Sequence, residues 1–452
     1  MQKGISVAAT TLGCKVNQAE TDSMLDMLKA AGANIVEFDE KADIYIVNTC
    51  SVTNIADKKS RQMLHRARKM NPDGIVIAAG CYVQSAREIL EQDEAIDIVI
   101  SNNKKKSITE IVNDYINVRN NGKNAPGKDH EAMEYFVDIS RETEYEEMGG
   151  HVPVGHTRAY VKIQDGCNQF CSYCIIPYVR GRIRSRSQEA ILAEVSELAE
   201  AGIKEVVLTG IHISSYGKDK NNEGALIELI EAISKIKGIK RIRLGSLEPG
   251  IITEEFVERI SSNSKVCPHF HLSLQSGCDS VLKRMNRKYT CKQYFEKCDM
   301  LRKAYKSPAL TTDVIVGFPG ETEEEFAETV RYLTELNLYE MHIFKYSPRK
   351  GTVAAAMKEQ VAPEIKNERS DVLLKLAHDN KTAYEAQFEG CELEVLVEEV
   401  VKKDNKTYLR GHTERYMDIL IDVGDISMPE SFVNSFVYVT YTQNGGNLPL
   451  LL

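Results

Sequence analysis

Residues 158–174 read RAYVKIQDGCNQFCSYC, a strand-like run that leads directly into a loop with three cysteines. Cys167, Cys171 and Cys174 are separated by gaps of three and two residues. A structural zinc site is closed by four ligands, and no fourth Cys or His follows at the usual short spacing. The three thiols therefore indicate a metal centre with one open position. A zinc knuckle or a chance cluster is the simpler alternative.

Strand-like and helix-like stretches alternate after this loop. The later strand-like runs are KEVVLTG, KRIRLGS, HFHLSLQ, LTTDVIVGFPG and EMHIFKYS. With the first run they make six β/α units in a little under two hundred residues, whereas a closed eight-stranded barrel takes about 250 residues. We therefore predict a partial (β/α)6 barrel whose open side suits a bulky substrate. The cysteine loop follows a strand, where such barrels build active sites.

Three more cysteines end strand-like runs in the first hundred residues. Cys14 ends ISVAATTLGC, Cys50 ends ADIYIVNTC and Cys81 ends GIVIAAGC, with amphipathic segments between them. Short apolar runs separated by helices are typical of an open parallel α/β sheet. Ligands collect beyond the carboxyl ends of such strands, so we expect the three thiols to converge on a metal. Buried inert cysteine is the alternative.

The pattern of the chain predicts three domains. Residues 1–115 form the N-terminal α/β domain, a polar linker follows at 116–152, and the partial barrel covers 153–382. The tail at 383–452 holds short β-rich runs such as LEVLVEEV and NSFVYVTYTQN, which are typical of a small antiparallel β-barrel of the oligonucleotide-binding kind.

Composition excludes several classes of protein. With 42% hydrophobic and 27% charged residues the chain is an ordinary folded protein, and it has no run of eighteen apolar residues that would predict a membrane span. The N-terminus lacks the apolar stretch of a secretory signal, so we expect a cytoplasmic location. The eleven cysteines are then reduced thiols. Those outside the two triads are expected to be packing residues: Cys267, Cys278, Cys291, Cys298 and Cys391.

The C-x3-C-x2-C loop, with an aromatic residue before its last cysteine, resembles the radical S-adenosylmethionine (SAM) enzymes. The resemblance implies that Cys167, Cys171 and Cys174 bind a [4Fe–4S] cluster whose free iron chelates SAM, and that Tyr173 lies against the adenine. Further polar or glycine positions at strand ends are expected to contact SAM. These are Gly210, Ser246, Glu248, Ser273, Gln275 and Gly317. The Gly-Gly-Glu triplet common elsewhere in that superfamily is absent.

Two three-cysteine sites on an α/β domain, a barrel and a small β tail resemble the methylthiotransferases over essentially the whole chain. The resemblance implies that Cys14, Cys50 and Cys81 hold a second [4Fe–4S] cluster that takes part in sulfur insertion, so that all six cysteines are catalytic. The tail then resembles the RNA-contacting TRAM domain.

Two stretches, TLGCKVNQAETDSM and LQSGCDSVLKRMNRKYT, are most similar to one branch of that family. This branch converts N6-threonylcarbamoyladenosine at position 37 of tRNA to its 2-methylthio form. Three alternatives stay open: the isopentenyladenosine branch, the branch that modifies a ribosomal-protein aspartate, and a non-catalytic iron–sulfur or zinc protein that binds RNA.

Basic stretches lie beside both cysteine sites and predict contact with a phosphate backbone. The expected RNA-binding residues are Lys58, Lys59, Arg61, Arg182, Arg184, Arg186, Arg410 and Arg415. The tail is acidic overall, with a net charge of -7 between Ala383 and Glu430. A β-barrel that binds RNA would normally be basic. The expected partners are the tRNA anticodon loop, a sulfur donor, and an electron donor such as flavodoxin or ferredoxin.

Overall fold

The computed structural model describes residues 4–120, 135–149, 157–404, 406–424, 428–443 and 445–447, the last of these by backbone alone. The N-terminal part is an open sheet with the order β2-β1-β3-β4-β5, in which all paired strands are parallel. The strands are β1 (Ser6–Thr11), β2 (Asn34–Val36), β3 (Ile44–Thr49), β4 (Ile75–Gly80) and β5 (Ile98–Ile100). Strands β3 and β4 are buried along their whole length, as their continuous apolar sequences predict.

Helices cover both faces of this sheet and form two separate apolar cores with it. They are α1 (Lys15–Ala30), α2 (Asn54–Met70), α3 (Cys81–Ser85), α4 (Arg87–Glu91) and α5 (Ile108–Asn120). The predicted parallel α/β domain is confirmed. Helix α5 continues past the predicted boundary at residue 115.

The central part holds six parallel strands and a short antiparallel edge strand. The parallel strands are β6 (Arg158–Asp165), β8 (Glu205–Gly210), β9 (Arg241–Leu244), β10 (His269–His271), β11 (Ala309–Val316) and β12 (Glu340–Lys345). Strand β7 (Arg184–Ser185) pairs antiparallel with the end of β6. The order is β7-β6-β8-β9, then β10-β11-β12, and parallel bridges at Ile242–Val266 and Leu247–Leu272 connect the two groups.

Helices pack on the outside of these strands. They are α6 (Ile176–Val179), α7 (Gln188–Glu200), α8 (Ala225–Ser234), α9 (Glu254–Ser261), α10 (Asp279–Arg284), α11 (Cys291–Ala304), α12 (Glu323–Leu336) and α13 (Pro363–Ala386). Within the described residues β6 and β12 do not pair with each other, so the predicted partial barrel is confirmed. Alternate strand residues such as Val161, Leu208 and Val314 belong to the outer core, and their neighbours therefore face the barrel interior.

The C-terminal part is a small closed barrel, β13-β14-β15-β17-β16. Its strands are β13 (Glu392–Lys403), β14 (Lys406–Thr413), β15 (Asp418–Asp422), β16 (Phe436–Thr442) and β17 (Gly445–Asn447). Pairing is antiparallel as predicted, except between β15 and β17, which are parallel. Helix α13 runs across the predicted boundary between residues 382 and 383, and the exact domain limits stay predictions.

Part of the predicted linker packs between domains. Residues 121–134 and 150–152 lie outside the described residues, but 135–149 do not. The Tyr135 carbonyl accepts a hydrogen bond from the Ser101 N–H at 3.2 Å, and the Tyr145 hydroxyl donates to the Lys162 carbonyl at 3.0 Å. This segment therefore connects the N-terminal sheet with β6.

No helix in the described part of the chain is both long and apolar enough to cross a membrane. Of the five cysteines predicted to be packing residues, Cys267, Cys278 and Cys298 are buried and Cys291 is partly buried. Cys391 is exposed, so the packing prediction does not hold for it.

Candidate active site

The loop after β6 holds Cys167, Cys171 and Cys174 at the carboxyl end of the barrel strands. Gly166 has a φ of +70°, and a Cβ at this position would lie 1.7 Å from the Arg182 carbonyl oxygen, so only glycine fits. The turn after α10 fastens the loop from the other side, because the Asn286 side chain donates to the Phe170 carbonyl at 2.9 Å. The backbone that carries the three thiols is thus held in place from both sides.

A buried arginine reaches this cysteine loop from the barrel wall. The Nη1 of Arg287 donates to Cys171 Sγ at 3.2 Å, and its Nη2 donates to Glu248 Oε2 at 2.9 Å. Glu248 follows β9, and its carboxylate lies 3.5 Å from His212 Nε2. Arg287 thereby connects the thiol site to carboxylate and imidazole groups at the neighbouring strand ends.

Tyr173 lies at the edge of a small apolar cluster on the β11–β12 side of the loop. Its ring packs against a cluster that contains Met285, Phe318 and Tyr346, with Ile315 at the cluster's margin. Burial raises the pKa of the Tyr173 hydroxyl well above its usual range, against the opposing effect of Arg287. The flat apolar surface beside Tyr173 is suited to the face of a heterocyclic base.

The other strand-end positions predicted to contact SAM form a rim around the loop. Gly210 ends β8, and Ser246 lies exposed after β9. The Ser273 carbonyl accepts from Arg287 and from the Tyr289 hydroxyl. Gln275 is buried with a φ of +78°.

Gly317 is the remaining predicted rim position, and its N–H donates to Glu321 Oε2 at 2.6 Å. Glu321 is in turn paired with Arg369 of α13. The Glu321 carboxylate is therefore engaged in holding α13 and the end of β11 together.

The second cysteine triad forms where β1, β3 and β4 end. Cys14 caps the N-terminus of α1, Cys50 directly follows β3, and Cys81 begins α3 after β4. Gly13 has a φ of +106°, and a Cβ on it would lie 2.9 Å from Cys50 Sγ, so a side chain here would displace a ligand. Burial and then the neighbouring thiols of Cys81 and Cys14 raise the pKa of Cys50, and the three cysteines follow strands that are adjacent in the parallel sheet.

A second buried arginine joins the two triads. The Nε of Arg180 donates to Cys81 Sγ at 3.2 Å, and its Nη1 donates to Glu20 at 2.7 Å and to Asp165 at 3.0 Å. Asp165 lies two residues before Cys167. One guanidinium therefore touches a thiol of the N-terminal site and the strand end that carries the barrel site.

Glu20 of α1 is the centre of this network. Its carboxylate also pairs with Lys105 and, at 2.6 Å, with Lys162. Burial alone would raise the pKa of Glu20, but Arg180, Lys105 and Lys162 hold it well below its usual range. The network is fully buried and contains charges from both domains, so it forms only when these domains are in contact.

The donor sets of both triads fit an iron–sulfur cluster. All six thiols are free, and burial raises the pKa of Cys50 and Cys167 to about 11 and that of Cys174 to about 12. Metal binding would deprotonate the ligating thiols. Three cysteines hold three irons of a cube and leave one iron open to another ligand.

A cavity of about 640 Å³ lies where α1, β6, residues 145–149 and β13 meet, and Cys14 is exposed to it. Lys15 also lines this cavity, and its Nζ lies 5.7 Å from the ring centroids of Tyr160 and of Tyr416. Burial, Arg158 and Arg243 lower the pKa of Lys15 to about 8. No carboxylate of the described residues forms an ion pair with Lys15, so its ammonium is available to an anionic group.

The basic helix beside the N-terminal site presents part of the predicted RNA surface. Lys58, Lys59 and Arg61 are exposed on α2, and none of the three has an ion-pair partner in the described chain. Arg182 is also exposed, with its guanidinium 4.5 Å from the centroid of the Phe170 ring. No ion pair of the described residues has to break for these four side chains to reach an RNA backbone.

The other predicted RNA-binding residues are placed differently. Arg184 and Arg186 are buried, and Arg186 pairs with Glu147 at 2.6 Å and with Glu194. The structure thus puts these two arginines in the domain interior and not on the surface where a phosphate contact was predicted. Both arginines are buried where β7 and the residue after it pair with β6.

The two arginines predicted to bind RNA from the C-terminal barrel are also engaged. Arg410 is exposed but pairs with Asp418 at 2.8 Å and with Glu399 at 3.2 Å. Arg415 donates to the Ser307 carbonyl at 3.0 Å and pairs with Glu414. They hold the small barrel together and fasten it to the loop before β11.

Sequence reasoning missed the roles of four side chains at the triads. The site residues predicted from the sequence do not include Arg180, Arg287, Glu20 or Asp165. A signal did exist for Arg180, since it follows the last cysteine of the loop by six residues. A buried arginine has no periodicity of its own, and its partners come from distant segments.

Comparison with known proteins places the chain in a family. The profile described as Radical SAM superfamily matches residues 161–333, and that described as Uncharacterized protein family UPF0004 matches residues 6–101. A solved radical SAM methyltransferase, TsrM from Kitasatospora setae, superposes with a TM-score of 0.55 over 77% of each chain at 15% identity, which shows a shared fold.

Curated relatives are more similar in sequence. The threonylcarbamoyladenosine tRNA methylthiotransferase MtaB of Bacillus subtilis is 39% identical over 92% of this chain and 90% of its own length. MtaB of Aquifex aeolicus is 37% identical over 92% and 98%. The tRNA-2-methylthio-N(6)-dimethylallyladenosine synthase of Thermoanaerobacter pseudethanolicus is 35% identical over 96% and 90%. The chain therefore belongs to the radical SAM methylthiotransferases, a family that uses SAM together with two [4Fe–4S] clusters.

Proposed function

We propose that this protein inserts sulfur at C2 of N6-threonylcarbamoyladenosine in tRNA and methylates it, giving the 2-methylthio nucleoside. The observation that carries the choice of nucleoside is Lys15, whose ammonium lacks an ion-pair partner among the described residues and lies beside Cys14. The threonylcarbamoyl group has a carboxylate that can pair with an ammonium, whereas a dimethylallyl group is wholly apolar. The MtaB relative of Bacillus subtilis, at 39% identity, supports the same choice, while the identities of the other MtaB relatives and of the dimethylallyladenosine synthases overlap at 35–37%.

The residues can be assigned roles under this proposal. Cys167, Cys171 and Cys174 would hold the cluster that binds SAM, and this cluster would supply the one electron that splits SAM into methionine and a 5′-deoxyadenosyl radical. Tyr173 and the rim of Gly210, Ser246, Glu248, Ser273, Gln275 and Gly317 position SAM. Cys14, Cys50 and Cys81 hold the second cluster, beside which the sulfur that is transferred must be placed.

The substrate is the anticodon loop, which carries the modified adenosine at position 37. The expected contacts to its phosphates come from exposed side chains that have no ion-pair partner among the described residues: Lys58, Lys59, Arg61 and Arg182. A sulfur donor and a small electron-transfer protein such as flavodoxin or ferredoxin complete the reaction in the cytoplasm. The acidic C-terminal barrel then contributes by its shape and by its contacts to the central domain more than by charge.

Nucleoside analysis of total tRNA tests the proposal. Cells that lack the protein should lose 2-methylthio-N6-threonylcarbamoyladenosine and accumulate its unmodified precursor, and the wild-type gene should restore the product. A Lys15→Met variant should restore it poorly while still producing 5′-deoxyadenosine. An unchanged level of this nucleoside in the deletion strain would refute the assignment.

The dimethylallyladenosine branch is the second candidate, because relatives of that name cover 96% of the chain. The same experiment separates the two. Loss of the 2-methylthio derivative of dimethylallyladenosine, with no change in the threonylcarbamoyl product, would favour this branch.

A further inference from the structure

Three side chains with metal-binding atoms converge on the inner face of the partial barrel, away from both cysteine triads. His271 is on β10, Asp313 on β11 and His342 on β12, and their ligand atoms all lie within 4.8 Å of one another. The strand register explains the grouping, because Asp313 pairs with His342 and His271 pairs with Thr311, the residue two before Asp313. Parallel pairing of this kind places these side chains on one face of the sheet.

The geometry between His271 and Asp313 is that of two ligands of one ion. His271 Nε2 lies 3.3 Å from Asp313 Oδ2, yet this buried nitrogen has no hydrogen-bond partner within the described chain. Neighbouring ligand atoms bound at about 2.1–2.2 Å are about 3.0 Å apart in an octahedral site and about 3.4 Å apart in a tetrahedral one. The observed separation fits shared coordination without a hydrogen bond between the two groups.

The other nitrogen of His271 is already held in place. Its Nδ1 lies 3.0 Å from Thr311 Oγ1, which fixes the ring so that Nε2 points to the other two groups. Metal-binding histidines have this kind of second partner, which sets the ring orientation. The His271 and His342 rings are stacked, with centroids 5.9 Å apart, and a ring nitrogen of His342 lies within 4.8 Å of the ligand atoms of the other two residues.

We propose that His271, Asp313 and His342 form a site for one divalent first-row transition ion, such as Mn²⁺ or Fe²⁺. Two imidazoles and one carboxylate are a donor set that such ions accept with positions left open. The open positions face the barrel interior, since His342 is exposed there. They are available to an oxygen of a bound molecule. The proposal stands on this geometry and does not depend on which nucleoside is the substrate.

The site lies below the region assigned to SAM. Asp313 and Ile315 are two residues apart on the same face of β11, a distance of about 7 Å along the strand, and Ile315 belongs to the margin of the apolar cluster on which Tyr173 packs. A metal here would therefore be in the part of the interior where a substrate, not SAM, is accommodated.

Manganese binding to the anaerobically reconstituted holoenzyme tests the site. The cluster irons occupy the six triad thiols, so added Mn²⁺ is left to nitrogen and oxygen ligands. Loss of the six-line electron paramagnetic resonance (EPR) signal of free Mn²⁺ should show one bound ion per chain. Asp313→Asn and His342→Ala should each weaken this binding by at least about tenfold. Even mutation of a residue that only hydrogen-bonds to a metal ligand lowers metal affinity about 10–100-fold.

His378→Ala is the matched control, because this histidine is exposed on α13 and lies outside the proposed site. It should bind Mn²⁺ as the wild type does. His342 is itself exposed, so its variant is expected to fold, and an unchanged iron content would verify this. Failure of the wild type to bind Mn²⁺, or equal binding by the wild type and both site variants, would overturn the proposal and leave His271 and Asp313 as a simple electrostatic pair.

Discussion

The two cysteine triads are built from the same parts in different ways. In each, a glycine with positive φ precedes a cysteine, and a buried arginine donates to one Sγ at 3.2 Å. The barrel triad lies in one loop and takes Arg287 from its own domain. The N-terminal triad is gathered from three strand ends and takes Arg180 from the neighbouring domain. The barrel site is therefore complete within one domain, whereas the N-terminal site receives its arginine only when the central domain packs against it.

The largest expected effect comes from removing either triad. A Cys167→Ala, Cys171→Ala, Cys174→Ala variant should lose half of its iron and all SAM cleavage, since the free iron that binds SAM is gone. A Cys14→Ala, Cys50→Ala, Cys81→Ala variant should still produce 5′-deoxyadenosine but no methylthiolated nucleoside, because positioning of the sulfur dominates that step. Iron analysis gives the cluster content of each variant, and chromatography measures its yields of 5′-deoxyadenosine and of the methylthiolated nucleoside.

Full product formation by the N-terminal variant would show that its cysteines are packing residues. Loss of SAM cleavage in that variant, with the barrel cluster retained, would mean that the sites are functionally inseparable.

The next largest effect is expected on stability, at the buried contact between the N-terminal and central domains. Glu20→Gln leaves Lys105, Lys162 and Arg180 buried with fewer counter-charges, and breaking such a buried pair costs about 3–5 kcal/mol. The midpoint of urea unfolding, followed by circular dichroism, should fall accordingly. Glu94→Gln is the control, because Glu94 is exposed. Equal midpoints for both variants would contradict the importance of the network.

A finer difference should appear in the reduction potentials of the clusters. Hydrogen bonds to cluster sulfurs help to set these potentials. Arg287→Lys should lower the potential of the barrel cluster, and Arg180→Lys that of the N-terminal cluster, each by on the order of 60 mV, the equivalent of a tenfold change for one electron. EPR-monitored redox titration resolves the two clusters. A shift of both clusters in either variant would show that the sites are electrically coupled.

The smallest effect is expected at the surface. Lys58→Ala, Lys59→Ala, Arg61→Ala should weaken tRNA binding and reduce the slope of log affinity against log salt by about 2, given about 0.7 per lost contact on single-stranded RNA. Filter binding at several salt concentrations measures the slope. Lys235→Ala, Lys237→Ala, Lys240→Ala is the control at the opposite end of the barrel strands, and it should behave as wild type.

The sequence was informative where chemistry follows from spacing or from strand order. The barrel triad was predicted because its ligands are adjacent in the chain, and the N-terminal triad because parallel strands end at one edge of a sheet. Arg180 and Arg287 were not predicted as thiol partners, since their burial depends on Glu20, Asp165 and Glu248, which lie far away in sequence. Arg184 and Arg186 were assigned to the RNA surface because a run of arginines does not reveal that β7 pairs with β6 and is buried there.

The buried charges around Glu20 limit how this architecture can be recombined in evolution. A fusion that joined the N-terminal sheet to a barrel without Lys162 and Arg180 would leave Glu20 with Lys105 alone, and the lost pairing would cost about 3–5 kcal/mol. The free energy of unfolding of a native domain is only about 5–15 kcal/mol. Lineages that exchange one of these two domains would therefore have to exchange the other with it, so the pair is expected to be inherited as a single unit.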